Sequence, residues 1–168
     1  MAVEHLTHTI DPTYDSHSTV LVLGSFPSPK SRMYGFNYGH PQNRFWRVLA
    51  QLACEEVPAS NADKRDFCLR HGIALWDVVA ECDIEGASDA TIRNARPNNL
   101  SLITKSAPIE AIFCTGAKAY QLFSRLGCEE ECGLHATRLP STSPANAAFG
   151  IDRLLEAYSQ IFEHVRDA

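Results

Sequence analysis

No CxxC pair occurs in this chain, which removes the commonest cysteine-based metal and redox patterns. The six cysteines stand at positions 54, 68, 82, 114, 128 and 132, and only the last two are near neighbours. They read as reduced core or surface thiols, Cys68 and Cys114 falling in apolar segments where a free thiol packs as a small hydrophobe. A four-cysteine iron–sulfur site does not fit this spacing, and no metal or other cofactor is expected. Long apolar runs are also missing. Val20–Leu23 and Ile73–Leu75 are far too short to cross a bilayer, and Met1-Ala2-Val3-Glu4-His5 lacks the basic start and apolar stretch of a secretory signal. A cytoplasmic protein without membrane contact is therefore expected. An excess of positive charge is absent too: 15 Lys and Arg against 20 Asp and Glu leave a net charge of −5. That argues against a broadly electropositive nucleic-acid binder but not against a local one. Lys30, Arg32, Arg44 and Arg47 cluster in one segment, while acids gather elsewhere, as in Glu129-Glu130-Glu131. A local basic patch is enough to position phosphates.

What is present is ordinary globular material, 168 residues with 45% hydrophobic and 21% charged side chains, suited to one domain with a substantial core. No internal repeat, linker or low-complexity tract interrupts it. Residues 1–18 read as a polar lead-in with little regular structure, and 19–168 as the single domain. Thr19–Leu23 is a buried strand, apolar and bounded by Gly24 and Pro27. From Asn43, a plausible N-cap, the positions Phe45, Trp46, Leu49 and Leu52 follow a helical rhythm. A second helix runs from Asn61 or Ala62 to Arg70 and stops at His71-Gly72. Ile73–Trp76 is a strand leading to Asp77. Residues 81–97 read as a long irregular connection with a short helix after Ser88-Asp89, and Asn98 or Asn99 caps a helix to about Lys105. Ile109–Cys114 is a strand followed by Gly116 and a helix; His135–Leu139 is the last strand. The closing helix carries an apolar stripe from Ile151 through Leu154, Tyr158 and Ile161 to Val165. Strands alternating with helices predict a three-layer α/β/α sandwich around a mainly parallel sheet of four or five strands. Ligands of such sheets sit beyond the carboxyl ends of the strands. The loops at Gly24–Ser28, Asp77, Thr115-Gly116 and Pro140–Asn146 should therefore converge on one rim.

Two of those loops and one segment between them carry the chemistry. Gly24-Ser25-Phe26-Pro27-Ser28 follows the first strand, Leu139-Pro140-Ser141-Thr142-Ser143-Pro144 follows the last, and Tyr38-Gly39-His40-Pro41-Gln42-Asn43-Arg44-Phe45-Trp46 opens a helix. They bring a flat aromatic surface, a carboxamide and backbone donors to one rim, a set suited to holding a planar heterocycle and acting on its attachment bond. This ordered set resembles the uracil-DNA glycosylase superfamily over about Val20 to Val165. Uracil-cleaving members have Asp or Asn where Phe26 stands, and a phenyl ring neither takes a proton nor holds water by a strong hydrogen bond. Leu139 likewise replaces the His or Asn that starts the second motif in several uracil-specific branches. With Gly72-Ile73-Ala74-Leu75-Trp76-Asp77-Val78 and Ala87-Ser88-Asp89, the pattern is similar to the hypoxanthine-DNA glycosylase branch.

That resemblance implies a monofunctional DNA glycosylase that hydrolyses the N-glycosidic bond of hypoxanthine in DNA, a monomer whose partner is DNA containing deaminated bases. Water is the nucleophile, so no lysine is required. A mismatch-type uracil/thymine-DNA glycosylase, a catalytically silent damaged-DNA-binding module of the same fold and a hydrolase of free nucleosides are the rivals. The resemblance makes Asn43 catalytic; Tyr38, Phe26, Gly24 and Ser25 base-binding; and Ser141, Thr142 and Ser143 a DNA-binding loop, while Lys30, Arg32 and Arg44 of the basic cluster are candidate phosphate contacts. Each has a plainer reading. Asn43 can be a helix cap only, Tyr38 a loop aromatic, Phe26 core filler, and the three hydroxyls turn-formers. Arg44 and Arg47 are phosphate or core-edge residues, His40 a solvent-facing loop residue without a catalytic role, Ser88-Asp89 a cap. Asp77, the acid at a strand end, is either a buried cap or a stand-in general base.

Overall fold

A computed structural model describes residues 2–164. Its centre is a four-stranded parallel sheet in the order β3 (Ile73–Asp77), β2 (Val20–Gly24), β6 (Ala111–Thr115), β7 (Ala136–Leu139). Every residue of β2 and β3 is buried, which explains why both read as unbroken apolar runs. Alternation sorts their side chains between two cores. Val20, Val22, Ile73, Leu75 and Phe113 meet α2 (Phe45–Leu52), α3 (Asn61–Arg70) and α7 (Ile151–Phe162) on one face. Leu21, Leu23, Trp76, Ile112 and Cys114 meet α4 (Ser101–Thr104), α5 (Ala117–Arg125) and α6 (Cys128–Cys132) on the other. The expected layered sandwich is present, with four strands in its central sheet.

Two expectations are corrected. The segment expected as an irregular connection is a hairpin of β4 (Val79–Glu85) and β5 (Ser88–Pro97), with Gly86 in the left-handed region at its turn; no helix follows Ser88-Asp89. The lead-in expected to lack regular structure supplies β1 (Val3–Thr7), which pairs antiparallel with β4 to complete a second, three-stranded sheet. Cys82, Ile84 and Ile92 turn into the α4–α5–α6 core, so this sheet helps to cover that face. A short helix, α1 (Pro29–Tyr34), also follows the first loop. Ser28 caps it by accepting from Ser31 N, Pro29 starts it, and Gly35 ends it at a φ of 75°. Val165, the last position of the expected apolar stripe, lies outside the described residues; Leu154, Tyr158 and Ile161 bear the rest of it out in the core.

Among the described residues no helix is long and apolar enough to cross a membrane. The six thiols are free, and burial pushes those of Cys82 and Cys128 up to about 11 and about 12. Packing, not reactivity, is the role of the buried thiols, Cys68, Cys82, Cys114 and Cys128.

Candidate active site

β2 and β3 end together, Gly24 opposite Asp77, and their backbones remain joined past the strands through Val78 N to Gly24 O and Val79 N to Ser25 O. The rim built on this edge begins at Gly24. A Cβ there would lie 2.5 Å from Asp77 Oδ1 and 3.4 Å from the Tyr38 hydroxyl. Asp77 cannot swing away freely, because its other oxygen accepts from His8 Nε2 at 2.8 Å and Asn37 Nδ2 at 3.0 Å. Gly24→Ala is therefore expected to destabilise the fold by about 1–3 kcal/mol, as overpacking does; urea unfolding checks it, and unchanged stability would show that the Asp77 carboxylate is loosely held.

Tyr38 is the aromatic of the rim. Its ring stacks on the buried Phe45 at 3.8 Å between centroids and 13° between planes. Its hydroxyl lies 2.6 Å from Thr115 Oγ1. The Thr115 hydroxyl proton goes to Leu23 O, so the phenol is the donor. Desolvation, helped by the nearby Asp77 charge, raises the phenol well above its ordinary pKa. The residue sits at a φ of 56°, a conformation that costs an ordinary side chain of order 1–3 kcal/mol. What over-determines it is the clamp on either side: Trp46 Nε1 donates to Asn37 O, and Gly39 N donates to Ser31 Oγ.

Asn43 stands one residue before the position that caps α2, Arg44. Its Oδ1 accepts from Phe45 N at 2.9 Å and from Thr142 Oγ1 at 2.8 Å. The backbone N–H can only donate, so it fixes which end of the amide is oxygen. The Asn43 Nδ2 donors have no partner among the described residues. Asn43 is thus a turn-former and more: it ties the last loop to the start of α2 through oxygen and keeps its nitrogen spare.

That loop is held by Arg44. Its backbone N donates to Thr142 O, and its guanidinium donates to the carbonyls of Phe149 (2.5 Å), Asn146 (3.1 Å) and Ser143 (3.3 Å). Arg44 was expected as a phosphate contact; the structure gives its charge to the loop backbone instead, since three converging carbonyls suit the guanidinium fork. Within the loop, Ser141 Oγ accepts from Ser143 N and Ser143 Oγ from Ala145 N. Both hydroxyls therefore form turns while keeping a proton to donate. Thr142 is buried, and Ser141 faces Gly116 across the rim, 3.5 Å from where a Cβ would stand.

Phe26 is buried in the core, edge-on to His8 with centroids 6.0 Å apart. Its ring is packing beneath the rim, the plainer of its two readings. Ser25 is buried too and donates from Oγ to Asp89 Oδ2 at 2.6 Å. Asp89, exposed as a residue, has its carboxyl raised above the ordinary range by desolvation, against the Ser25 hydrogen bond. It is a hairpin residue that braces the first loop, not a helix cap. Lys30 is exposed on α1, and Arg32 is half-buried with its Nε unpaired. His40 Nδ1 accepts from Gln42 N, so His40 shapes the loop. A cleft of about 920 Å³ runs from Tyr38 and Asn43 past Arg47 to Lys64, whose ammonium sits 5.6 Å from the Trp46 ring centre.

His8 and Asn37 carried no signal in the sequence: one is among three histidines of a polar lead-in, the other a loop asparagine beside a more conspicuous tyrosine. Both are buried at Asp77. Among the described residues no group of three or more His, Cys, Asp and Glu is placed to hold a metal ion.

The uracil DNA glycosylase superfamily model matches residues 12–164. A hypoxanthine DNA glycosylase of Methanosarcina acetivorans is 32% identical over 152 residues, 89% of this chain and 94% of the relative. One of Methanosarcina barkeri is 34% identical over 110 residues, 64% of this chain and 70% of the relative. A solution NMR structure from Methanosarcina acetivorans, described as a candidate uracil DNA glycosylase, superposes with a TM-score of 0.79 at 28% identity, covering 97% of this chain and 98% of its own. With the two loop motifs facing each other across one strand-end rim and the family match spanning nearly the whole chain, this protein belongs to the uracil DNA glycosylase superfamily.

Proposed function

We propose that this protein is a monofunctional DNA glycosylase that removes hypoxanthine from deoxyinosine sites by hydrolysis, with Asn43 as the catalytic residue. One observation carries the reading: Asn43 engages its oxygen twice and leaves its amide protons free at the rim. Cleavage of this bond separates charge, making an oxocarbenium-like sugar and an anionic base. Fixed donors aimed at the leaving base stabilise that separation without any strong base in the site. Phe26 in place of an acid fits this economy. The likeness to two relatives named as hypoxanthine DNA glycosylases supports the choice of base.

The nucleotide must leave the stack before it reaches Asn43, and a poorly paired hypoxanthine is cheap to extrude. Tyr38, braced from behind by Phe45, offers the flipped base a stacking face, and Gly24 and Ser25 form the floor of its pocket. The Ser141 and Ser143 hydroxyls keep donors for phosphate, with Thr142 buried behind them. Lys30, Arg32 and Arg47 are the cations available for the DNA backbone. A single chain supplies every one of these groups, so the site is complete without a second copy.

Duplexes bearing hypoxanthine, uracil, xanthine or mismatched thymine, treated at enzyme excess, test this. Free hypoxanthine and an alkali-labile abasic site should form without strand cleavage, and faster than any other base is released. Binding without base release would make the protein a silent module. Faster release of uracil or thymine would place it with the mismatch-type enzymes.

A further inference from the structure

The cleft that begins at Tyr38 and Asn43 is larger than one flipped base requires, and its far end takes no part in the chemistry above. Tyr34 lines that end from α1, Arg47 from α2 and Lys64 from α3. Tyr34 O accepts from Asn61 Nδ2 at 2.7 Å, a bond that ties the end of α1 to the start of α3 and holds these walls together. The Tyr34 side belongs to a residue 46% exposed.

Charge is sorted here. None of the residues lining the cleft is Asp or Glu, in a chain with 20 of them against 15 Lys and Arg. The acids stand just beyond Val57 and Pro58, which also line a neighbouring cleft holding Glu55, Glu56, Asp63 and Asp66. Among the described residues neither Arg47 nor Lys64 pairs with a carboxylate. Lys64 is half-buried, its ammonium 5.6 Å from the Trp46 ring centre, and desolvation alone draws its pKa below the usual lysine value. A cation that has given up water without gaining an anion favours any anion that enters. The near end of the same cleft is Tyr38 and Asn43. The polyanion that reaches both ends together is the strand to which the flipped base is attached.

Resting on the glycosylase reading above, we propose that the far end is a second nucleotide subsite. It takes the neighbour of the flipped nucleotide on the same strand, with the base against the Tyr34 ring and the phosphate between Arg47 and Lys64. Stacking on an aromatic ring tolerates every base, so the subsite is blind to sequence. It is not blind to strandedness. A neighbour seated there has left the duplex stack, which costs unpairing in double-stranded DNA and least in a strand already single. The preferred substrate is therefore deoxyinosine in single-stranded or locally unpaired DNA.

Binding to short single strands carrying non-hydrolysable 2′-fluoroarabino hypoxanthine tests this. On one side of the lesion, replacing the neighbouring base with an abasic furan should weaken wild-type binding about tenfold, the measure of a lost stack. On the other side the change should stay below about threefold. Tyr34→Ala should bind the intact strand about tenfold more weakly and be indifferent to the furan, whereas Tyr34→Phe should behave as the wild type. An uncharged methylphosphonate at the neighbouring phosphate should weaken the wild type, and weaken Arg47→Gln and Lys64→Met less. Both cation variants should show a shallower salt dependence. The wild type should also hold the single strand at least threefold tighter than its duplex with the complement. A furan effect that is absent, equal on the two sides or undiminished in Tyr34→Ala overturns the proposal. So does a methylphosphonate effect undiminished in both cation variants, or tighter binding of the duplex. These ratios stand whether or not base is released; failure of the glycosylase reading appears instead as no hypoxanthine freed by the wild type from ordinary deoxyinosine.

Discussion

Replacing Asn43 with Asp should abolish hypoxanthine excision as thoroughly as replacing it with Ala, by about a hundredfold or more, the cost of one lost transition-state donor. An aspartate keeps both bonds that the Asn43 oxygen makes, to Phe45 N and Thr142 Oγ1. The start of α2 and its tie to the last loop would survive. What disappears is the Nδ2 pair. The substituted carboxylate would also face the departing base anion, a charge where a donor is required. Asn43→Ala loses the donors and the tie together, at a stability cost of about 0.5–2 kcal/mol, as for a lost cap. The two variants should therefore differ in melting temperature and agree in rate. Single-turnover base release on a deoxyinosine duplex, read beside a thermal melt, makes the comparison. Near-normal rates for Asn43→Asp would mean that the oxygen, positioning water, is the working atom. Full activity in a folded Asn43→Ala protein would move the chemistry to another residue, Asp77 first.

The parallel sheet and most of its longer helices were legible because burial on both faces writes short unbroken apolar runs, and burial on one face a helical stripe. Val20–Gly24, Ile73–Asp77 and Ala111–Thr115 are such runs. The hairpin of β4 and β5 was not. Its inward residues are few, Val79, Cys82, Ile84 and Ile92, and its pairing shifts register three times, so no period of two accumulates. β1 is exposed except for a half-buried Leu6; it is a strand because β4 offers it an edge, which is tertiary information. The α1 helix did leave a mark, Ser28 before Pro29, overshadowed by the Gly/Pro/Ser loop that contains it. In the site, Tyr38 and Asn43 were found through their motif, and the structure brings them onto one rim. The reach of Arg44 into three carbonyls, and of His8 from the chain's start to Asp77, depends on folded distances that no local pattern encodes.

Tyr38→Ala should slow hypoxanthine excision by tenfold to a hundredfold, since stacking of a base on an aromatic ring is worth roughly 1–3 kcal/mol. The ring also packs on Phe45 and donates to Thr115 Oγ1, so the alanine variant opens space in front of Phe45 and loses stability as well. Tyr38→Phe isolates the base contact: it keeps the stacked ring and forfeits only the hydroxyl bond, a net of about 0.5–1.5 kcal/mol. Most of the activity should remain. A glycine offers a third comparison, because Tyr38 occupies a left-handed backbone position at a φ of 56° that glycine adopts without strain. Tyr38→Gly relieves the backbone and removes the ring, so it should melt at a higher temperature than Tyr38→Ala and excise no faster. Equal losses for Phe and Ala would transfer the role from the ring to the phenol. Recovery of activity in the glycine variant would show that the backbone at this position, rather than the stacked face, sets the rate.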